Sequence, residues 1–146
     1  MHDGGIRVPF IARWPEKIKA GTVSDLPSAF WDFLPTACEI AGTSAPDKID
    51  GISYLPTLLG KSNQQKKHDY LYWSSREGGT SIGVRHQNWK LVKYRDTKAN
   101  KKKGTKATRP NDWRLYDLSK DVGEENDLSK ENPELVLKIK GLVERD

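Results

Sequence analysis

The chain has 146 residues, enough for one ordinary domain or two small layers, and it is 35% apolar and 31% charged. No apolar run approaches the roughly 18 residues that cross a bilayer, and a single cysteine, Cys38, excludes an internal disulfide and a cysteine-rich zinc site. Net charge is +5, but residues 93–109 alone hold eight basic residues against one acidic, so the basic character belongs to one stretch and not to the chain as a whole.

In chain order, Met1 to Gly4 lack the basic start and apolar core of a signal peptide. "IRVPFIARW" (6–14) reads as a strand, bent or at a sheet edge because of Pro9, with Val8–Ala12 apolar enough to be covered on both sides. Arg7, alternating into it, is expected in a structural ion pair. Gly4 and Gly5 are expected to serve backbone conformation or close approach. "WDFLPTACEIAG" (31–42) reads as a helix: Asp32 is the N-cap, Pro35 lies in the first turn, and Gly42 supplies a left-handed stop. Phe33, Leu34, Ala37, Ile40 and Ala41 share one face of it. Cys38 lies among apolar residues and reads as a small hydrophobe, with no neighbouring base to activate it.

Residues 43–67 read as connector, with a turn at "DGIS" and a short helical turn in "LPTLLG". From residue 69 the chain alternates. "DYLYWSS", the hairpin arms around "RHQN" and "DWRLYDL" give about four antiparallel strands in a meander. The Lys-rich stretch is a long loop before the last of them. "NPELVLKIKGLV" closes the chain as an amphipathic helix, with Asn132 as cap, Pro133 at the first position and Leu135, Ile139, Leu142 and Val143 as its apolar stripe. The fold class is α+β: a four-stranded antiparallel sheet packed by a C-terminal helix, preceded by a strand-loop-helix unit. The division is expected at 1–62 and 63–146. His68 and His86 are expected in solvent, and the spacing of His2, His68 and His86 does not suit a metal.

Several of these segments share a pattern. "HDGGIRVPFIARWP" resembles the EGG-I/V-R-V-P-F-I-x-R-W-P segment of the sulfatase family, the arylsulfatase-type sulfuric ester hydrolases. "SDLPSAFWDFLPTACEIAG", "IDGISYLPTLLG", "HDYLYWSS", "GVRHQNWKLV" and "LYDLSKDVGEENDLS" resemble the segments that follow it, in order and nearly end to end. The resemblance implies that residues 1–62 belong to the last part of a large α/β sulfatase domain and 63–146 to its C-terminal subdomain. It also implies what this stretch lacks. The family's nucleophile is a formylglycine made from Cys or Ser in C/S-x-P-x-R, and "ACEIAG" has neither the Pro nor the Arg. The calcium-type cation of the family takes Asp and Asn ligands upstream of the EGG segment. No catalytic residue, metal ligand or cofactor is therefore assigned within the chain.

By resemblance, His2 and Asp3 (Asp where the family has Glu) lie near the active-site mouth, and Arg76, Glu77 and Arg85 could meet a sulfated sugar at its rim, where a guanidinium offers paired donors. Against this stands a loosely held terminus at His2 and a plain surface loop around "SSREGGTS". Lys98, Lys101, Lys102, Lys103 and Lys106 are candidates for a polyanion such as a sulfated glycan. Nucleic acid is not favoured, since only Tyr94 is aromatic inside the run. An uncovered Val8–Ile11 strand is expected to draw the chain into a homodimer or strand-swapped assembly. Relatives of the family are exported to the periplasm, the lysosome or the exterior.

Overall fold

A computed structural model of the chain describes residues 2–75, 81–93 and 113–144. It divides into two compact units, Met1–Val8 with Asp69–Asp146, and Pro9–His68.

The first unit is built on a four-stranded antiparallel sheet: β1 (Leu71–Ser75), β2 (Ser81–His86), β3 (Trp89–Lys93) and β4 (Trp113–Asp117), in the order β1-β2-β3-β4. The meander read from the sequence is the sheet observed. Its register pairs Val84 with Leu91 and Leu91 with Leu115, so period-two alternation puts these three on one face. There they pack on Val136 and Ile139 of the last helix, α4 (Pro133–Val143), as the core. Asn132 precedes α4 but makes no side-chain cap; its amide donates to the Leu128 carbonyl at 3.1 Å. The β4 edge is partly occupied: Leu128 N–H donates to Leu115 O at 2.8 Å, and Leu115 N–H donates to Asp127 Oδ1 at 3.2 Å.

The opposite face carries Arg85, Lys90, Val92 and Tyr116, and the last three are buried. A helical turn, α1 (Asp3–Ile6), belongs to this unit. Residues 7–14, expected as a strand, form none. A strand exists only by pairing, and no backbone–backbone hydrogen bond reaches residues 8–13 among the described residues. Arg7 is exposed and makes no ion pair among the described residues, contrary to expectation. Gly4 and Gly5 lie in α1 with nothing within 4 Å of a built Cβ, so neither serves a close approach here. Gly51 does: a Cβ there would clash with the Trp31 carbonyl oxygen.

The second unit holds α2 (Phe33–Ile40), entered through a 3-10 turn at Phe30–Asp32, and α3 (Leu55–Leu58). Gly42 takes φ 68° after α2, the left-handed stop expected. Asp32 is not a simple cap. Its buried carboxylate accepts Ala29 N–H at 2.7 Å and Ile52 N–H at 2.9 Å, and it meets His68 Nε2 at 2.8 Å. Thr36, one turn on, donates to Asp32 O and accepts from Tyr54 N–H. Two polar side chains thus tie four segments together. Thr36 is the buried residue of α2, while Phe33, Leu34 and Ile40 of the apolar face are exposed. His68 is likewise no solvated residue, with a side chain only 13% exposed against Asp32.

Candidate substrate-rim site

The site forms where α1 meets the sheet face that α4 leaves free. β3 needs Lys90 to point to that face, because its neighbours Trp89 and Leu91 point to the other. The side chain is 0% exposed, and its ammonium lies 3.1 Å from Asp3 Oδ1 and 4.4 Å from the Trp73 ring centroid. The approach to Asp3 is an ion pair whose geometry is off-line for a hydrogen bond. Asp3 Oδ2 lies 4.0 Å from Arg85 Nη1 on the adjacent strand.

Glu124 completes the group from the turn after β4. Its Oε2 accepts Asp3 N–H at 2.7 Å and meets His2 Nδ1 at 2.9 Å. That turn is organised by Asp121, whose two carboxylate oxygens accept Glu125 N–H at 3.1 Å and Asn126 N–H at 2.8 Å. The same backbone bonds hold the Asp121 carboxyl below the usual carboxylate range. The His2 ring stands 5.8 Å from Tyr116, whose phenol is pushed up by burial.

Two carboxylates and two cations therefore balance one another with an imidazole alongside. Burial pulls the Lys90 ammonium down; Asp3 and Glu124 oppose this, and Arg85 adds to it. Only His2, with 39% of its side chain exposed, and Arg85, with 25%, reach solvent. Arg85 is held by its Nε donating to Gln87 O at 3.2 Å. The group positions an imidazole and a guanidinium at a surface; it holds no nucleophile. Cys38 is half-buried in α2, in the other unit. Among the described residues no three His, Cys, Asp or Glu converge to hold a metal. Asp3 is paired with Lys90 and Arg85, and Glu124 Oε2 with His2 and the Asp3 N–H, which leaves the buried Glu124 Oε1 as the oxygen without a hydrogen-bond partner; one such oxygen does not fit a calcium ion that needs several.

Of the five rim candidates, the structure brings His2, Asp3 and Arg85 together. Asp3 at 4% exposure is no loose terminus. Arg76 and Glu77 lie outside the described residues, as do Lys98, Lys101, Lys102, Lys103 and Lys106. His86 ends β2 with Nδ1 2.7 Å from Asp69 O. Lys90 and Glu124 were missed in the sequence. A lysine inside "WKLV" is the one available signal, since alternation forces it to a sheet face. Nothing local marks Glu124, which takes φ 54° among three other acids. The second unit offers an open apolar cleft of about 340 Å³ lined by Phe10, Phe33, Ile40, Tyr54 and Leu58, with Arg13 as its one charge. No set of polar groups converges there.

A family model for the N-sulphoglucosamine sulphohydrolase C-terminal region matches residues 1–144. An N-acetylgalactosamine-6-O-sulfatase of Bacteroides thetaiotaomicron is 31% identical over 146 residues, covering 98% of this chain and 28% of that protein. An ulvan-active sulfatase of Formosa agariphila is 44% identical over 70 residues, covering 48% of this chain and 14% of that protein. A B. thetaiotaomicron sulfatase structure described with glycosaminoglycan metabolism superposes with a TM-score of 0.73 at 26% identity, covering 98% of this chain and 29% of that one. A structure solved with D-glucosamine-2-N,6-O-disulfate as its substrate superposes at 0.66 and 25% identity, covering 91% of this chain and 26% of that one. The chain spans less than a third of the length of these relatives. With the four-stranded meander, its helix and the HDGG turn seated on the sheet, the chain belongs to the sulfatases, as their N-sulphoglucosamine sulphohydrolase C-terminal family.

Proposed function

We propose that the chain acts as the C-terminal part of a sulfuric ester hydrolase, contributing packing and substrate-rim residues and no catalysis of its own. The observation that carries this is the family match over residues 1–144. The rim geometry supports it: a fully buried Lys90–Asp3 pair fixes the turn that presents His2, and Arg85 stands beside it. A guanidinium held this way can meet a sulfate ester on a sugar, the class of substrate that the related sulfatases' names carry. The nucleophile and the divalent cation belong to the larger part of such an enzyme. The exposed apolar residues of the second unit, among them Phe10, Ile11, Phe33 and Ile40, are the surface that part would cover. Without it, the same surface draws copies of the chain into a homodimer or strand-swapped assembly.

The test is hydrolysis of a chromogenic aryl sulfate with calcium present. The expected result is no turnover by the chain alone. A chimera, in which the chain replaces the matching quarter of the N-acetylgalactosamine-6-O-sulfatase, is expected to hydrolyse sulfate. In that chimera Arg85→Ala should raise KM more than it lowers kcat. Turnover by the chain alone that survives Cys38→Ala would overturn the reading. A second reading, a module that binds a sulfated glycan, is favoured by one observation: two lysines gathered on Trp113, with no carboxylate partner among the described residues.

A further inference from the structure

Among the described residues lysine sits on two tryptophans, with opposite electrostatics. At Trp73 the ammonium of Lys90 is fully buried and neutralised by Asp3. At Trp113 there are two ammoniums: Lys93 Nζ and Lys140 Nζ each lie 5.3 Å from the ring centroid. Both side chains are half-exposed, and neither makes an ion pair among the described residues. They come from different elements. Lys93 ends β3 directly across from Trp113, and Lys140 lies in the last turn of α4, where a cation also complements the helix dipole. Trp113 itself is packed on the core cluster, so the ring is a fixed base and not a mobile side chain.

The ring attracts each ammonium through its quadrupole and so offsets part of the repulsion between them. Two positive charges are held on one ring, no more than about 11 Å apart by the two centroid distances. Two described carboxylates of these elements are otherwise placed. Asp127 is 3.9 Å from Arg114 and accepts Leu115 N–H, and Glu144 is exposed one turn beyond Lys140. The residues covalently linking Lys93 to Trp113 add seven Lys and Arg against two Asp, by sequence alone. Two ammoniums gathered on one ring, with no ion pair among the described residues, suit a ligand carrying repeated anionic groups. Stacking of nucleobases needs a free aromatic face, and this ring is already engaged by cations, which favours a sulfated chain over a nucleic acid.

We propose that Lys93, Trp113 and Lys140 form a binding site for a sulfated polysaccharide, a hold on the polymer that requires no hydrolysis. The choice of sulfate as the anion rests on the reading of the chain as part of a sulfatase. Binding is measured on the chain itself without hydrolysis, so an inactive chimera and an absent binding site are separate results.

The probe is dextran sulfate, titrated by calorimetry over a series of salt concentrations, beside unsulfated dextran and a single-stranded oligonucleotide. The wild-type chain is expected to bind dextran sulfate, to ignore dextran, and to bind the oligonucleotide more weakly at equal charge. Lys93→Gln with Lys140→Gln should raise the apparent Kd about tenfold and reduce the salt slope by about two. Trp113→Leu should weaken binding while both charges remain. Because Trp113→Leu removes core contacts, Lys140→Gln alone serves as the variant that keeps the fold, verified by an unchanged thermal melt. Unchanged binding in the double lysine variant would overturn the site, as would equal affinity for the oligonucleotide. Loss of all binding on Lys101→Gln, Lys102→Gln and Lys103→Gln together, with none on the Lys93 and Lys140 changes, would overturn it too.

Discussion

Asp3 and Lys90 show what one buried charge pair asks of its neighbours. Two desolvated charges are stable only while each has the other. Asp3→Asn or Lys90→Met is therefore expected to lower the unfolding free energy of the whole chain by about 3–5 kcal/mol in urea. Changing both together, Asp3→Leu with Lys90→Met, should cost much less than the two single losses added. Burial lowers the Lys90 pKa below 10.5, so the folded chain holds that proton less tightly than the unfolded one. The sign follows: the penalty is present at low pH and lifts as pH rises through the folded pKa toward 10.5. Relative to Lys90→Met, the wild-type chain should gain stability over that window; a loss would contradict the assignment. The sequence made His2, Asp3 and Arg85 legible only through the family pattern. Lys90 was legible in principle from alternation. Glu124 was not, because its role depends on a turn fold that no local pattern encodes.

At the scale of elements, the sheet and α4 could be read because their signals are local: alternation, a proline at the first helical position, an apolar stripe. The turn from Asp117 to Asp127 adds a titratable support. Asp117 is held low by the Ser119 hydroxyl and backbone, and Asp121 by Asn126 and Glu125 N–H. Asp127 is held low as well, because its backbone and hydroxyl partners outweigh the opposing effect of burial. A carboxyl depressed in the folded state contributes stability above its unfolded pKa of 3.8, and that contribution is lost as pH falls through the folded value. The urea midpoint should therefore fall as pH drops below 3.8, less steeply in Asp121→Asn. An equal slope in both proteins would remove Asp121 from the account. α2 marks the limit of such reading. Its apolar face, Phe33, Leu34 and Ile40, is where the periodicity puts it, but Asp32 and Thr36 make the bonds that hold the helix inside this chain. Periodicity says that a face will be covered; it does not say by which partner. The same holds for residues 7–14, whose strand pattern has no pairing partner among the described residues.

At the scale of the whole molecule, the unpaired segment and the uncovered helix face lead to one consequence. Ile11 is 89% exposed, Val23 88%, Phe30 81% and Phe33 64%. Burying a large aliphatic or aromatic side chain is worth about 1.5–3 kcal/mol, and association costs roughly 4–15 kcal/mol in lost freedom. Five or six such side chains buried together reach that cost, and open backbone groups at residues 8–13 can add ladder bonds. The isolated chain is thus expected to sediment as a dimer or larger species at micromolar concentration. Ile11→Lys should shift it toward monomer without lowering its thermal midpoint, because Ile11 supports almost nothing within the chain. In the sulfatase chimera the same substitution should act in the other direction. If the larger part covers the face there, as proposed, a buried lysine has no partner, and the loss is expected as reduced stability and not as reduced association. A chain that stays monomeric with its apolar face intact would show that this surface is solvated on its own, and would remove the reason to place a partner on it.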